Sequence, residues 1–208
     1  VISALSSSDA RTATAILAEA FHDYPVMRYV LGRAGNYEGR LLALVGFFVQ
    51  ARLLREELVL GAHDPAGVVV AVALVSLPGE RPSPPALDEH REELWRRLGA
   101  RARARYERFG EASHQFDLAA PHHHLNMIGA HPSFAGRGYG RRLLDAVHHQ
   151  ADTMPLSTGV SLSTETRQNV ALYNHFGYSL QGHAQVSLGL ETWAFFRPAR
   201  GRTEVPSS

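Results

Sequence analysis

The sequence predicts a single α/β (α+β) domain built on a mixed central sheet, and three observations predict it. Two strand-length apolar runs, residues 57–62 and 68–76, flank a His63-Asp64-Pro65-Ala66-Gly67 turn and so read as an antiparallel hairpin. Further on, strand-length runs alternate with helical ones, an order that lays helices against a sheet. The chain has 208 residues, 45% hydrophobic and 20% charged, which is enough to bury one sizeable core. No Ser/Gly-rich linker divides it. The domain is expected over residues 1–199, with residues 200–208 as a flexible tail.

The elements follow in order. Ser6, Ser7, Ser8 and Asp9 are good helix N-cap residues. Behind them Ala13, Ile16, Leu17, Ala20 and Phe21 recur at helical spacing. That helix is expected to end near Tyr24-Pro25, because a proline disfavours helical geometry in the residue before it. Residues 37–55 read as a second helix with Leu41, Leu44, Val45, Phe48 and Leu53 on its apolar face. After the hairpin and a Pro-rich loop, residues 87–109 read as one long basic helix anchored by Leu94, Trp95 and Leu98. Residues 125–130 read as a strand, 139–151 as a helix, 160–164 as a strand and 169–176 as a short helix. Residues 178–183 and 192–197 are the last two strands.

Composition excludes several classes. Lys and Arg number 21 against 20 Asp and Glu, a formal net charge of +1, so nothing draws the whole chain to nucleic acid or an anionic membrane. There is no cysteine, hence no disulfide, no zinc-thiolate site and no Cys nucleophile. No apolar run approaches the roughly 20 residues that span a bilayer. No basic segment followed by an apolar stretch opens the chain, so no signal peptide is expected. A start without Met is read as processed or trimmed. The setting expected is cytoplasmic.

The most informative stretch is His131-Pro132-Ser133-Phe134-Ala135-Gly136-Arg137-Gly138-Tyr139-Gly140-Arg141-Arg142. A strand stops, three glycines follow at alternate positions, and a helix begins. Helix N-termini expose unpaired amide N–H groups and the positive end of the helix dipole, and glycines let a phosphate approach the backbone. Together with the arginines this is a plausible pyrophosphate cradle. It is not the dinucleotide fingerprint GxGxxG, whose last glycine would fall on Arg141, and no Gly-Lys-Ser/Thr follows as in a Walker loop.

The spacing resembles the acyl-CoA-binding turn of the GNAT acetyltransferase superfamily, Gln/Arg-x-x-Gly-x-Gly/Ala. Gly138 and Gly140 fit it, while Ala135 stands where Gln or Arg is expected and removes one side-chain contact. A second segment, LSTETRQNVALYNHFGY, resembles the family's strand followed by Asn-x-x-x-Tyr and Phe-Gly-Phe/Tyr, with Asn169, Tyr173 and Phe176-Gly177-Tyr178 in those places. The resemblance covers roughly residues 122–197. Three details resemble the puromycin N-acetyltransferase-like branch: Phe21-His22-Asp23-Tyr24-Pro25, the strand at 68–78 that runs into a Pro loop, and Thr192-Trp193 in the last strand.

The resemblance implies a mostly antiparallel sheet of six to seven strands flanked by helices, with strands four and five splayed to hold CoA. It implies transfer of an acetyl group from acetyl-CoA to an amine, with a small-molecule acceptor expected. Backbone groups at Ile128, Gly129, Ala130, Gly136, Arg137, Gly138, Tyr139, Gly140 and Arg141 are the expected CoA contacts, with N–H groups near Gly129-Ala130 polarising the acetyl carbonyl. Asn169 contacts CoA or orients the site. Tyr173 is the candidate general acid, since a phenol with pKa near ~10 is protonated at neutral pH; the alternative is an aromatic packed beneath the sheet.

Two candidates stand for the general base. The puromycin-type pattern carries a Glu in its fifth strand; Ser163 aligns with it here, and Glu165, two residues on, could share its face. A solvated loop residue is the preferred reading of Glu165. His124 is the other candidate, sharing a strand face with Asn126 and alternating with Leu125 and Met127. A non-catalytic acyl-CoA-binding module and a protein-modifying acetyltransferase are the competing functions. A homodimer through a sheet edge or helices is an open expectation.

Other signals are discounted. His122-His123-His124 cannot all bind one ion, because adjacent strand residues point to opposite faces, so no metal is expected. His148-His149 reads as helix surface. Arg96, Arg97, Arg101, Arg103 and Arg105 are interrupted by acidic residues and read as a solvated face rather than a nucleic-acid site. Residues 50–55 and 87–97 are candidates for the border of the acceptor pocket.

Overall fold

A computed structural model describes residues 1–33, 35–79 and 81–201. The chain runs β1 (Ile2–Ala4), α1 (Ala10–Ala20), α2 (Pro25–Leu31), α3 (Tyr37–Leu54), β2 (Leu58–His63), β3 (Val69–Ser76), α4 (Pro85–Leu98), α5 (Ala100–His114), β4 (His123–Ala130), α6 (Tyr139–Thr153), β5 (Gly159–Thr164), α7 (Gln168–His175), β6 (Ser179–Ser187) and β7 (Leu190–Pro198). The seven strands form one sheet in the order β1-β2-β3-β4-β5-β7-β6. Every neighbouring pair is antiparallel except β4 and β5. The expected mixed sheet with the 57–76 hairpin is therefore present.

Helices cover both faces. In front, Ile16 and Leu17 of α1 and Leu44 and Val45 of α3 pack with Val72, Leu74 and Met127. Behind, Leu143, Leu144 and Val147 of α6 pack with Ala71, Ala73, Leu125 and Val160. The first helix approaches β4 closely. A Cβ built on Gly129 would lie 2.6 Å from the Cβ of Ala20, so only glycine lets the helix come this close.

Four expectations need correction. The basic run at 87–109 is two helices, broken where Gly99 takes φ 86°, a left-handed conformation that a helix interior cannot hold. Pro25 does not end helical structure: α1 stops at Ala20 and Pro25 opens α2, where its missing N–H would have had no partner anyway. His148 is not on the surface; it is buried and its Nε2 lies 3.0 Å from the Tyr178 hydroxyl. The fourth strand does not alternate evenly. Leu74 pairs with Met127 and Val75 with Leu125, which leaves Asn126 as an extra residue in a bulge. Leu125 therefore enters the rear core and Met127 the front one. Of the expected tail, Arg200 is tied by its N–H to Asp152 Oδ1 at 2.8 Å, and residues 202–208 lie outside the described residues.

Candidate active site

Strands β4 and β5 pair over three positions only: His123 with Val160, His124 with Ser161 and Leu125 with Leu162. Beyond them the strands part, as the splay expected between strands four and five requires. The open edge of β4 has a definite polarity. The His131 N–H donates to the Val70 carbonyl at 2.9 Å. Backbone N–H groups alternate between the two edges of a strand, so Gly129 also faces β3 while Ile128 and Ala130 direct theirs toward the gap. Of the two residues expected to polarise a carbonyl, Ala130 is so placed, and Gly129 instead serves the contact with α1.

The glycine turn lies at the end of this gap. Gly136 and Gly138 take φ 74° and 79°, and a Cβ on either would meet nothing within 4 Å. Gly138 is the N-cap of α6. The Arg142 N–H closes the first helical hydrogen bond, onto the Gly138 carbonyl at 3.1 Å, so the N–H groups of Tyr139, Gly140 and Arg141 are the unpaired donors of a helix start. The side chain of Tyr139 is buried in the rear core beneath Phe134, leaving its backbone alone for a ligand. The Arg137 guanidinium stands over Phe134 at 5.1 Å, and Arg141 is exposed. Ala135 is exposed and extended at the end of the short turn Pro132–Phe134. These residues fit a pyrophosphate: open backbone, exposed cations and a helix N-terminus.

From the gap a cavity of about 310 Å³ reaches between the sheet and the front helices. His124, Asn126, Ile128, Glu165, Asn169 and Tyr173 all line it, which brings both base candidates and the candidate acid to one space. Arg52 of α3 also lines it, whereas α4 contributes nothing and α5 contributes Tyr106 and Phe109. Residues 87–97, expected to border the acceptor pocket, do not line this cavity, while α5 does.

Glu165 is not a solvated loop residue. It is partly buried, and its Oε1 accepts a hydrogen bond from Thr192 Oγ1 at 2.9 Å. Its N–H donates to the Tyr24 hydroxyl at 3.1 Å, and that hydroxyl lies 2.9 Å from Thr164 Oγ1. Asn169 Nδ2 donates to the same Thr164 oxygen at 3.0 Å. Asn169 thereby fixes the end of β5. Burial pushes the Glu165 carboxyl up to about 7, and the hydrogen bonds from Thr192 and Tyr24 offset only part of that. His124 goes the other way. Its Nδ1 is 2.8 Å from Ser161 Oγ, and burial, with help from His122 and Arg52, lowers it to about 4. It is neutral at pH 7 and a much weaker proton acceptor than Glu165.

Tyr173 is buried, with its ring 5.7 Å from those of Tyr178 and Phe195. Burial raises its phenol above its ordinary value, so it stays protonated. Its hydroxyl has no hydrogen-bond partner among the described residues, while that of Tyr178 is taken by His148. The ring packs in the rear core, and Tyr173 also lines the cavity. No three His, Asp or Glu among the described residues converge on a point that could hold a metal ion.

Residues 99–180 match the family model of the acetyltransferase (GNAT) domain. Over that span, somewhat less than half of its length, the chain is similar to the acetyltransferase (GNAT) domain. The matched span holds β4, the glycine turn, β5 and the Asn169–Tyr173 helix, and the acyl donor of such domains is acetyl-CoA. Among solved structures, a Corynebacterium glutamicum histone acetyltransferase and related acetyltransferase superposes with TM-score 0.72 at 21% identity, covering 98% of each chain. The Drosophila melanogaster polyamine N-acetyltransferase gives 0.61 at 18%, covering 94% of this chain and 97% of its own. An Escherichia coli ribosomal-protein alanine N-acetyltransferase gives 0.59 at 14%, covering 100% and 99%. At these identities the likeness is one of fold. No curated protein matches the chain. No described helix is long and apolar enough to cross a membrane.

Sequence reading missed Tyr24 and Thr192 as neighbours of Glu165, though both lie in segments singled out by resemblance. Asn126 was seen on the strand face but not as a bulge.

Proposed function

We propose that this protein transfers the acetyl group of acetyl-CoA to the primary amine of a small molecule, by direct attack within a ternary complex. One observation carries the reading: a carboxylate raised to about 7 and a phenol hydroxyl with no hydrogen-bond partner among the described residues line the same cavity where β4 and β5 part. Glu165 is the general base. It takes a proton from the ammonium form of the acceptor, because only the neutral amine has a lone pair to offer. A group with pKa near the working pH does this best. The nitrogen then bonds to the thioester carbonyl carbon. Ile128 and Ala130 offer backbone N–H groups toward the gap, where charge grows on the carbonyl oxygen. As the C–S bond breaks, Tyr173 gives its proton to sulfur. The nitrogen loses its second proton, solvent restores Tyr173 and Glu165, and the products are the acetamide, CoA thiol and one net proton.

His124 positions β5 through Ser161 in this reading rather than accepting the proton. The unpaired N–H groups of Tyr139, Gly140 and Arg141, with Arg137, hold the pyrophosphate. Membership of the puromycin N-acetyltransferase-like branch is supported by the Phe21–Pro25 segment, numbered 21–25, which here supplies Tyr24 to the Glu165 network. A cytoplasmic setting accords with the lack of cysteine.

The test is calorimetric titration of acetyl-CoA into the wild type and into Gly138→Glu, followed by turnover with an amine panel. The variant places a side chain and a negative charge beside the expected pyrophosphate, at a position already in the left-handed region. Binding by the wild type and at least ~100-fold weaker binding by the variant is expected. A wild type that does not bind acetyl-CoA overturns the proposal.

A further inference from the structure

The cavity says more about the acceptor than that it is an amine. Its acceptor-side wall is apolar: Met27 and Val30 of α2, Leu44 and Phe48 of α3, and Tyr106 and Phe109 of α5. The aromatic groups are held in place. Phe48 and Tyr106 are near-parallel, with centroids 6.1 Å apart, and Tyr106 rests on Trp95 at 5.1 Å. Charge on the lining is sparse. Among the described residues, Glu165 is its single carboxylate and Arg52 its single permanent cation. Arg52 already has a partner: its Nε lies 2.7 Å from Glu57, and its Nη1 donates to Ser76 Oγ at 2.8 Å.

We infer that the acceptor is an aryl-alkyl amine with a single cationic nitrogen, its ring against Phe48, Tyr106 and Phe109 and its nitrogen at Glu165. The inference rests on the acetyltransferase reading and narrows it. One ammonium finds one carboxylate. A second ammonium, as in a polyamine or an aminoglycoside, finds no second acid among the described lining residues and meets Arg52 instead. A buried charge without a partner is strongly disfavoured. A peptide end brings backbone N–H and C=O groups that this apolar wall does not pair. An aromatic ring needs neither, and it gains contact with rigid ring faces and edges. The space also fits. About 310 Å³ must admit the end of the acyl donor as well, which leaves room for one or two rings.

The experiment is a steady-state comparison at saturating acetyl-CoA with 2-phenylethylamine, tryptamine, spermidine, kanamycin and an alanine-initiated hexapeptide. The wild type and Phe109→Ala are both assayed, with acetyl-CoA affinity measured by calorimetry for each. The aryl-alkyl amines are expected to show kcat/KM at least ~10-fold above the other three. Phe109→Ala is expected to lower that advantage about tenfold through KM while acetyl-CoA affinity holds. Phe109 is only partly buried, and retained acetyl-CoA binding shows that the variant is folded. A preference for spermidine, kanamycin or the peptide overturns the inference and leaves the acetyltransferase reading standing. Acetyl-CoA binding with turnover of none of the five overturns both. An unchanged preference in a folded Phe109→Ala, tested alongside Phe48→Leu with the same result, also overturns the inference.

Discussion

Replacing Glu165 by Gln tests the base assignment through two independent readouts. Gln keeps the shape, and its amide oxygen can still accept the bond from Thr192 Oγ1. It cannot take a proton. The first readout is the pH dependence of kcat/KM. In the wild type, activity is expected to rise with pH through an apparent pKa near 7, the value to which burial lifts this carboxyl. In the variant that limb is expected to vanish and the rate to fall by about 10²–10⁴-fold. The second readout is stability. The folded protein holds the Glu165 proton up to about pH 7, against 4.5 for an ordinary glutamate. Stability that this group lends is therefore fully present below pH 4.5 and lost as pH rises through 7. At ~1.4 kcal/mol per pH unit, the loss is at most about 3.5 kcal/mol. Gln carries no such loss. The variant is expected to melt with the wild type near pH 4 and above it at pH 8.5, by up to roughly 10 °C for a domain of this size. A fall in activity with a gain in stability, the latter only at alkaline pH, is a signature that a merely structural role does not produce. An acid limb that persists in the variant, or a melting difference independent of pH, refutes the reasoning.

Three further outcomes are expected. Tyr173→Phe keeps the ring contacts with Tyr178 and Phe195, so the melting temperature and acetyl-CoA affinity should hold while kcat drops about 100-fold, seen in steady-state and calorimetric assays. Thr192→Val removes the donor that lowers the Glu165 carboxyl, so the acid limb of kcat/KM should move to higher pH; a limb that stays in place counts against the Thr192–Glu165 bond. Gly129→Ala forces a Cβ to within 2.6 Å of Ala20, so α1 must lift from β4, with about 1–3 kcal/mol lost in denaturant unfolding.

The parts of this fold that depend on neighbours in the chain were legible in its sequence. Gly136 and Gly138 need left-handed backbone, and only a glycine-rich turn before a helix predicts that. Asn169 and Tyr173 sit four apart on α7 and do line one cavity. The parts set by distant segments were not legible. Nothing around Glu165 in the chain shows that Tyr24 and Thr192, 141 and 27 positions away, enclose it. Seen alone, it looks like a polar residue after a strand. The bulge at Asn126 escaped because an apolar-polar alternation reads the same with one residue inserted. The α4–α5 break escaped because Gly99 is one weak helix former in a run of strong ones, and only its φ reveals the turn.

The junction of α1 and α2 ties the front helices to the chemistry. Pro25 at the first position of α2 holds Tyr24 extended, at φ −67° and ψ 134°, so its side chain leaves the helix axis and reaches across to β5. There its hydroxyl meets both Thr164 and the Glu165 N–H. The next residues along, Val26, Met27 and Val30, line the cavity. One short helix thus carries a wall of the pocket and, at its N-cap, a partner of the base. A ligand that presses on α2 acts on the segment that holds Glu165 in place. Under the proposed reading, acceptor fit and the position of Glu165 are coupled through covalent neighbours, with no relay needed. This coupling also explains why a Tyr-Pro pair, which read as a helix stop, lies at the site: the proline sets the backbone turn, and the tyrosine uses it.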